Sequence, residues 1–137
     1  MSENENLNHQ IKLNEEMISN LKEFFGSYLS DFLKEYRNKK EDDLKIHQVL
    51  EHQDKIYDKF HNLMKEKTLT ASTGNLENHA KKQQQVIVVI KKFFSSNSKF
   101  IKLYRQGSKD YEKMNKLLIE QELIFEKLSK LMSQEKS

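Results

Sequence analysis

The sequence contains no cysteine and no proline, and only three glycines, Gly26, Gly74 and Gly107. The missing cysteine excludes disulfides, thiolate nucleophiles and cysteine-based zinc sites. The missing proline leaves no residue that would break a helix by removing a backbone donor and crowding the preceding turn. A β protein of this size would spend more glycine and proline on its turns. Long apolar runs are also absent. The longest, Val86 to Ile90, is far short of the roughly 20 residues that a spanning helix needs. Arginine is scarce, with only Arg37 and Arg105 among 24 basic residues. Lysine acts more as a point charge than as the planar fork that suits bidentate recognition, so anion binding here is expected to be diffuse.

Lysine, glutamate and leucine, all good helix formers, dominate the remaining composition. Apolar residues make up 36% and charged residues 33% of the 137-residue chain. Ordinary globular chains are nearer 45–50% and about 25%. That balance suits a slender helical assembly, whose surface is large for its volume. Eight phenylalanines and five tyrosines in periodic positions argue against disorder. The length suits one domain.

The apolar spacing predicts four helices, over about 7–36, 43–67, 76–106 and 109–132, with a tail at 1–6 and a frayed end at 133–137. In the first helix Ile11, Ile18, Leu21, Phe25, Tyr28 and Phe32 recur in steps of three, four or seven. Met17, Phe24, Leu29 and Leu33 widen that stripe toward a multi-helix core. Asp42 or Asp43 is the expected cap of the second helix, whose apolar face runs from Ile46 to Met64. Residues 68–75, rich in threonine, form the clearest loop, with Thr73 or Asn75 capping the third helix. The third helix is expected to bend near Ser95–Ser98. Gly107-Ser108 reads as a stop and then a new cap. The fourth helix carries a stripe from Tyr111 to Met132 that includes Gln121. No internal repeat is apparent. The fold expected is all-α, an up-down four-helix bundle. A long helical hairpin that dimerises, coiled-coil-like, would use the same stripes.

Charge is unevenly spread. Residues 1–35 hold seven acids and three bases, whereas residues 78–109 hold eight bases and no acid. At about 100° per residue, Lys81, Lys91, Lys92, Lys99, Lys102, Arg105 and Lys109 share one face of the third helix. Val86, Ile90, Phe93, Phe100 and Tyr104 take the opposite face. Three readings of the basic face compete. It is a solvated surface partly neutralised by the acidic first helix, a contact for an acidic protein or anionic surface, or a nucleic-acid site acting through phosphates. The aromatics lie opposite the lysines rather than among them, which weakens base stacking. On the fourth helix, Ile119 and Leu123 fall off the main stripe, four residues apart, and form a candidate apolar interface.

Catalytic chemistry finds little support. His47, Glu51, Asp54, Asp58 and His61 align on the second helix, but away from its apolar stripe. Carboxylate-bridged di-metal bundles need inward-facing Glu-x-x-His pairs from two helices. This chain offers Asp58-x-x-His61 once, facing outward. His9, His52 and His79 show no ligand spacing. There is no nucleophile elbow, phosphate loop or dinucleotide fingerprint. The expectation is therefore a non-enzymatic protein-binding module: an adaptor, chaperone-like factor or assembly subunit. It needs no cofactor, metal or small-molecule substrate. It takes a protein partner or a second copy of itself. The alternative is association with nucleic acid or an anionic surface through residues 81–109. Residues 1–10 are polar and carry no visible secretory signal, so a cytoplasmic location is expected.

Overall fold

The computed structural model describes residues 3–38, 43–66 and 75–133. They form four helices: α1 (Glu3–Asn38), α2 (Leu44–Glu66), α3 (Leu76–Arg105) and α4 (Tyr111–Ser133). The first helix thus begins at Glu3, not near Leu7, and takes up most of the expected tail. Glu5 lies in the first turn, where the positive end of the helix dipole favours acids. Ser133 is still helical. Thr73 and the loop at 68–74 lie outside the described residues.

Side chains and turn geometry set the described ends. Asp43 caps α2, its Oδ1 accepting from the Lys45 amide at 2.9 Å. Asn75 caps α3 through Asn78, at 3.1 Å. At the end of α3, Ser108 N–H donates to the Leu103 carbonyl and Gly107 N–H to that of Tyr104, both at 3.0 Å. This double closure turns the chain through Gly107 at φ 71°, a conformation glycine adopts without strain. The next cap is Asp110 rather than Ser108. Asp110 Oδ1 accepts from Lys113 N, while Ser108 Oγ holds the Asp110 amide.

Directions follow from which residues meet. Along α1 and α3, Asn14 faces Gln83, Phe25 faces Phe93, Phe32 faces Tyr104 and Glu35 faces Arg105. Both numbers rise together, so the two helices are parallel. Asp43 with Tyr111 and Gln53 with Gln121 show the same for α2 and α4. The chain runs up-down-up-down, and its like-directed helices are neighbours. Around the bundle the order is α1, α3, α4, α2. Contact is most extensive between α3 and α4 and least between α1 and α2. Four short helices, rather than two fused long ones, build the core.

Pairing α2 with α4 exposes an internal repeat that is not apparent along the linear chain. Lys45, Leu50, Gln53, Ile56, Lys59, Leu63 and Met64 recur unchanged at Lys113, Leu118, Gln121, Ile124, Lys127, Leu131 and Met132, a constant offset of 68 residues (113 − 45). Conservative exchanges such as Tyr57 with Phe125 and Asp58 with Glu126 blur it.

The core is apolar at its centre. Phe25, Phe60 and Phe93, all buried, bring rings from three helices together, with Phe60 stacked on Phe93 at 4.6 Å and 9°. Fully burying one such side chain stabilises by about 1.5–3 kcal/mol. Polar residues then fix the register at two levels. Asn14 donates to Gln83 and accepts from Gln10 and Gln84. Gln53 and Gln121 exchange two hydrogen bonds, each 2.8 Å, and Asn97 Nδ2 reaches Gln121 Oε1 at 3.4 Å. α3 continues as one helix through Ser95–Ser98, where a bend was expected. Ser96 and Asn97 are buried instead, and Ser96 Oγ donates to the Leu117 carbonyl on α4. Their polarity suggests a kink, but they form the contact between α3 and α4.

Two predictions come from these polar contacts. Gln53→Leu leaves one amide of the pair unpaired, at a cost of about 1–3 kcal/mol in urea denaturation. Gln121→Leu strands both Gln53 and Asn97 and should cost more. Adding Gln53→Leu to Gln121→Leu should recover part of that loss, since replacing both partners removes an orphaned group. The second concerns Tyr111 Oη, which donates to Asp43 Oδ2 at 2.5 Å. That bond holds the Asp43 carboxyl below its ordinary 3.8. The stabilisation is therefore present above about pH 4 and lost as pH falls through the lowered value. Tyr111→Phe should lower the melting temperature at neutral pH, and the gap to wild type should close as the medium is acidified through that lowered value. A gap independent of pH would show that the carboxylate plays no part.

Candidate partner-binding surface

Six of the seven basic residues expected on one face of the third helix lie on α3, and the seventh, Lys109, falls beyond its end. Lys81, Lys91, Lys92, Lys99, Lys102 and Arg105 are all exposed on α3, and Lys109 is exposed just beyond its end. The acidic first helix neutralises very little of this surface. Arg105 donates from Nη2 and Nε to Glu35 Oε2, at 2.9 and 3.2 Å. That hydrogen bond is the main reason its guanidinium is held in the charged form even more firmly than usual. Lys81 meets Glu77 at 3.5 Å within its own helix. Lys109 lies near enough to Asp43 to favour its ionised form. Among the described residues, Lys91, Lys92, Lys99 and Lys102 pair with no carboxylate.

Apolar side chains lie beside these lysines. Met17 and Phe24, expected in the core stripe of α1, are instead exposed, Phe24 by 58%. Leu13 joins them at 46%. The three sit at the flank of α1 that borders α3, beyond the reach of its buried centre. Phe24 rests on the edge of the core, its ring 5.3 Å from that of Phe94. Between the helices, Leu13, Met17, Asn20, Gln84, Ile87 and Lys91 line a shallow groove. Val88, in the middle of the longest apolar run, is 48% exposed. It lies one turn from both Gln84 and Lys91, so it continues the strip into the basic face. The sequence held one signal for this: at 100° per residue Val88 falls among Lys81, Lys92 and Lys99, opposite Phe93.

Ile119 and Leu123 are exposed on α4, by 55% and 62%. They are not brought to the groove, because α4 lies diagonally across the bundle from α1. The two apolar strips are separate surfaces.

The polar stripe of α2 remains outside. His47, Glu51, Asp58 and His61 are exposed and Asp54 is half-buried. Among the described residues, no three His, Asp or Glu side chains gather as a metal site would require. His52 instead bridges to Glu122, joining α2 to α4, and His79 is buried in α3. No described helix is long and apolar enough to cross a membrane. Comparison with known proteins gives no matching family, no matching curated relative and no matching solved structure.

Proposed function

We propose that this chain is a non-enzymatic protein-binding module that takes up an acidic amphipathic helix along the α1–α3 groove. One observation carries the reading: an exposed apolar strip, Leu13, Met17, Phe24 and Val88, lies beside four lysines with no acidic partner in the described fold. Exposed apolar strips rimmed by charge are characteristic of helix-in-groove recognition. The apolar groups would supply affinity by leaving water. The lysines would steer an acidic partner and fix its orientation, contributing more to the on-rate than to the final affinity. Such a module serves as an adaptor, a chaperone-like factor or an assembly subunit, and the proposal places it in the cytoplasm. Ile119 and Leu123 would serve a second contact, with another copy of the chain.

The alternative partner, a nucleic acid, would use the same lysines and would not need the apolar strip. Of the rings near these lysines, Phe93, Phe100 and Tyr104 are buried, and a base could stack on exposed Phe24.

Paired variants separate the two readings. Lys91→Glu, Lys92→Glu, Lys99→Glu and Lys102→Glu together should leave the fold intact, since each exposed site is worth about 0.5 kcal/mol or less. Leu13→Ser, Met17→Ser and Phe24→Ser together should do the same. An acidic amphipathic helical peptide, followed by fluorescence anisotropy, should lose at least about tenfold in affinity with either set. Duplex nucleic acid should be retained equally by wild type and the serine set in filter binding. Nucleic-acid binding that vanishes only in the glutamate set, with no peptide binding by wild type, would replace this reading with the alternative.

A further inference from the structure

A second feature lies on the other flank of α1, where it faces α2. These two helices make the least contact in the bundle, and between them is a cleft of about 160 Å³. Lys22, Gly26, Tyr57, Phe60, His61 and Met64 line it. Phe60 and Met64 are buried and give an apolar floor. Gly26 leaves the wall open, for a Cβ added there would meet nothing within 4 Å. The volume matches that of a cavity able to hold one benzene-sized ring, about 150 Å³.

Three side chains of the cleft can donate a hydrogen bond. Lys22 brings an ammonium, Tyr57 a phenol and His61 an imidazole. Lys22 is half-buried and forms no ion pair among the described residues. Burial lowers its pKa, so its charge is incompletely solvated where it stands. Burial, then the fields of Asp58 and Asp54, raise the pKa of the Tyr57 phenol, which keeps it a donor. The Tyr57 and His61 rings lie 5.9 Å apart on the same wall. A buried or half-buried cation without a counter-charge is costly, and an anion that enters beside it removes that cost. An apolar floor below a set of donors is the usual construction of a small-ligand site.

We propose that the α1–α2 cleft binds a small carboxylate with a compact apolar body. The ring or short chain would rest on Phe60 and Met64 beside Gly26, and the carboxylate would accept from Lys22, with Tyr57 and His61 within the same rim. This site is independent of the α1–α3 groove, and neither needs the other.

Isothermal titration and ligand-observed NMR with phenylacetate, phenethyl alcohol and phenethylammonium test it on the full chain. Phenylacetate should saturate one site in the millimolar range or tighter. The alcohol should bind about tenfold more weakly, the loss expected for a hydrogen bond to a charged group. The ammonium compound should not bind. Lys22→Met keeps the aliphatic stem and should reduce phenylacetate to the level of the alcohol. Gly26→Leu fills the cleft and should abolish both. Helical circular dichroism of each variant distinguishes a blocked site from a lost fold. Equal binding of alcohol and carboxylate, no saturable phenylacetate binding, or phenylacetate binding that survives Gly26→Leu in a folded variant would overturn the proposal.

Discussion

Three phenylalanine rings, Phe25, Phe60 and Phe93, meet in the middle of the bundle, and that meeting joins α1, α2 and α3 at one level. Phe60 of α2 stacks on Phe93 of α3 although those helices lie across a diagonal. Phe25 closes the group from α1, its centroid 4.8 Å from that of Phe60. The rings fill one level of the core, and polar contacts lie above and below it. The buried amides occupy those levels. Asn14 with Gln83, and Gln53 with Gln121 and Asn97, have partners only when α1 stands parallel to α3 and α2 to α4 in a single register. The amides are not all satisfied, since Gln83 Nε2 and Asn97 Oδ1 are buried without a hydrogen-bond partner. Apolar residues would avoid that penalty. Slipping any one helix by a turn, however, would strand the buried amides it pairs, so the arrangement specifies register at some cost in stability.

The same packing decides where the surface is free. α3 is covered by α1 on one side and α4 on the other, and its core-facing side holds Val86, Ile90, Phe93, Phe100 and Tyr104. A single outward strip remains, and all seven bases project from it or from the turn beyond it. Among the described residues, acidic α1 beside this strip makes one ion pair with it, Glu35 with Arg105, to which the field of Asp31 adds. The opposite charges along these two helices therefore do not cancel, and the basic field projects outward. On the far flank of α1, looser contact with α2 leaves Lys22 over an apolar floor.

Much of this was legible in the sequence. The absence of proline and the seven-residue spacing of Ile11, Ile18, Phe25 and Phe32, with Leu21 and Tyr28 between them, were enough to read the helices. Asn75, Asp43 and Gly107 marked the ends of helices. The basic face could be drawn on a helical wheel. The features that escape such a reading share one cause: position on a wheel gives the angle of a residue, but not the angular width that neighbours cover. Met17 and Phe24 lie at the edge of their stripe, and the narrow approach of α3 leaves them uncovered. Polar letters mislead in the opposite direction. Ser96, Asn97, Gln53 and Asn14 look like surface or kink residues until a partner amide is placed against them. Which helices adjoin was not readable either, because four amphipathic stripes of similar width are interchangeable until rings and amides select among them. The likeness of α2 and α4 becomes visible only when the two are aligned side by side.

That likeness, together with the parallel pairing, has a consequence for how the molecule can come apart. The residues of α1 and α2 form one hairpin and those of α3 and α4 another, and each hairpin aligns lengthwise with the other. Among the described residues, the two hairpins are joined through side chains, one of which, Asn14, reaches the Ala80 carbonyl. A hairpin from one molecule therefore presents the same rings and amides to the second hairpin of another molecule as it does to its own. Exchange of halves between molecules would preserve every buried pair described above and form a closed dimer without a new interface. In such a dimer each α1–α3 groove would be built from two chains, yet keep the lining it has within one.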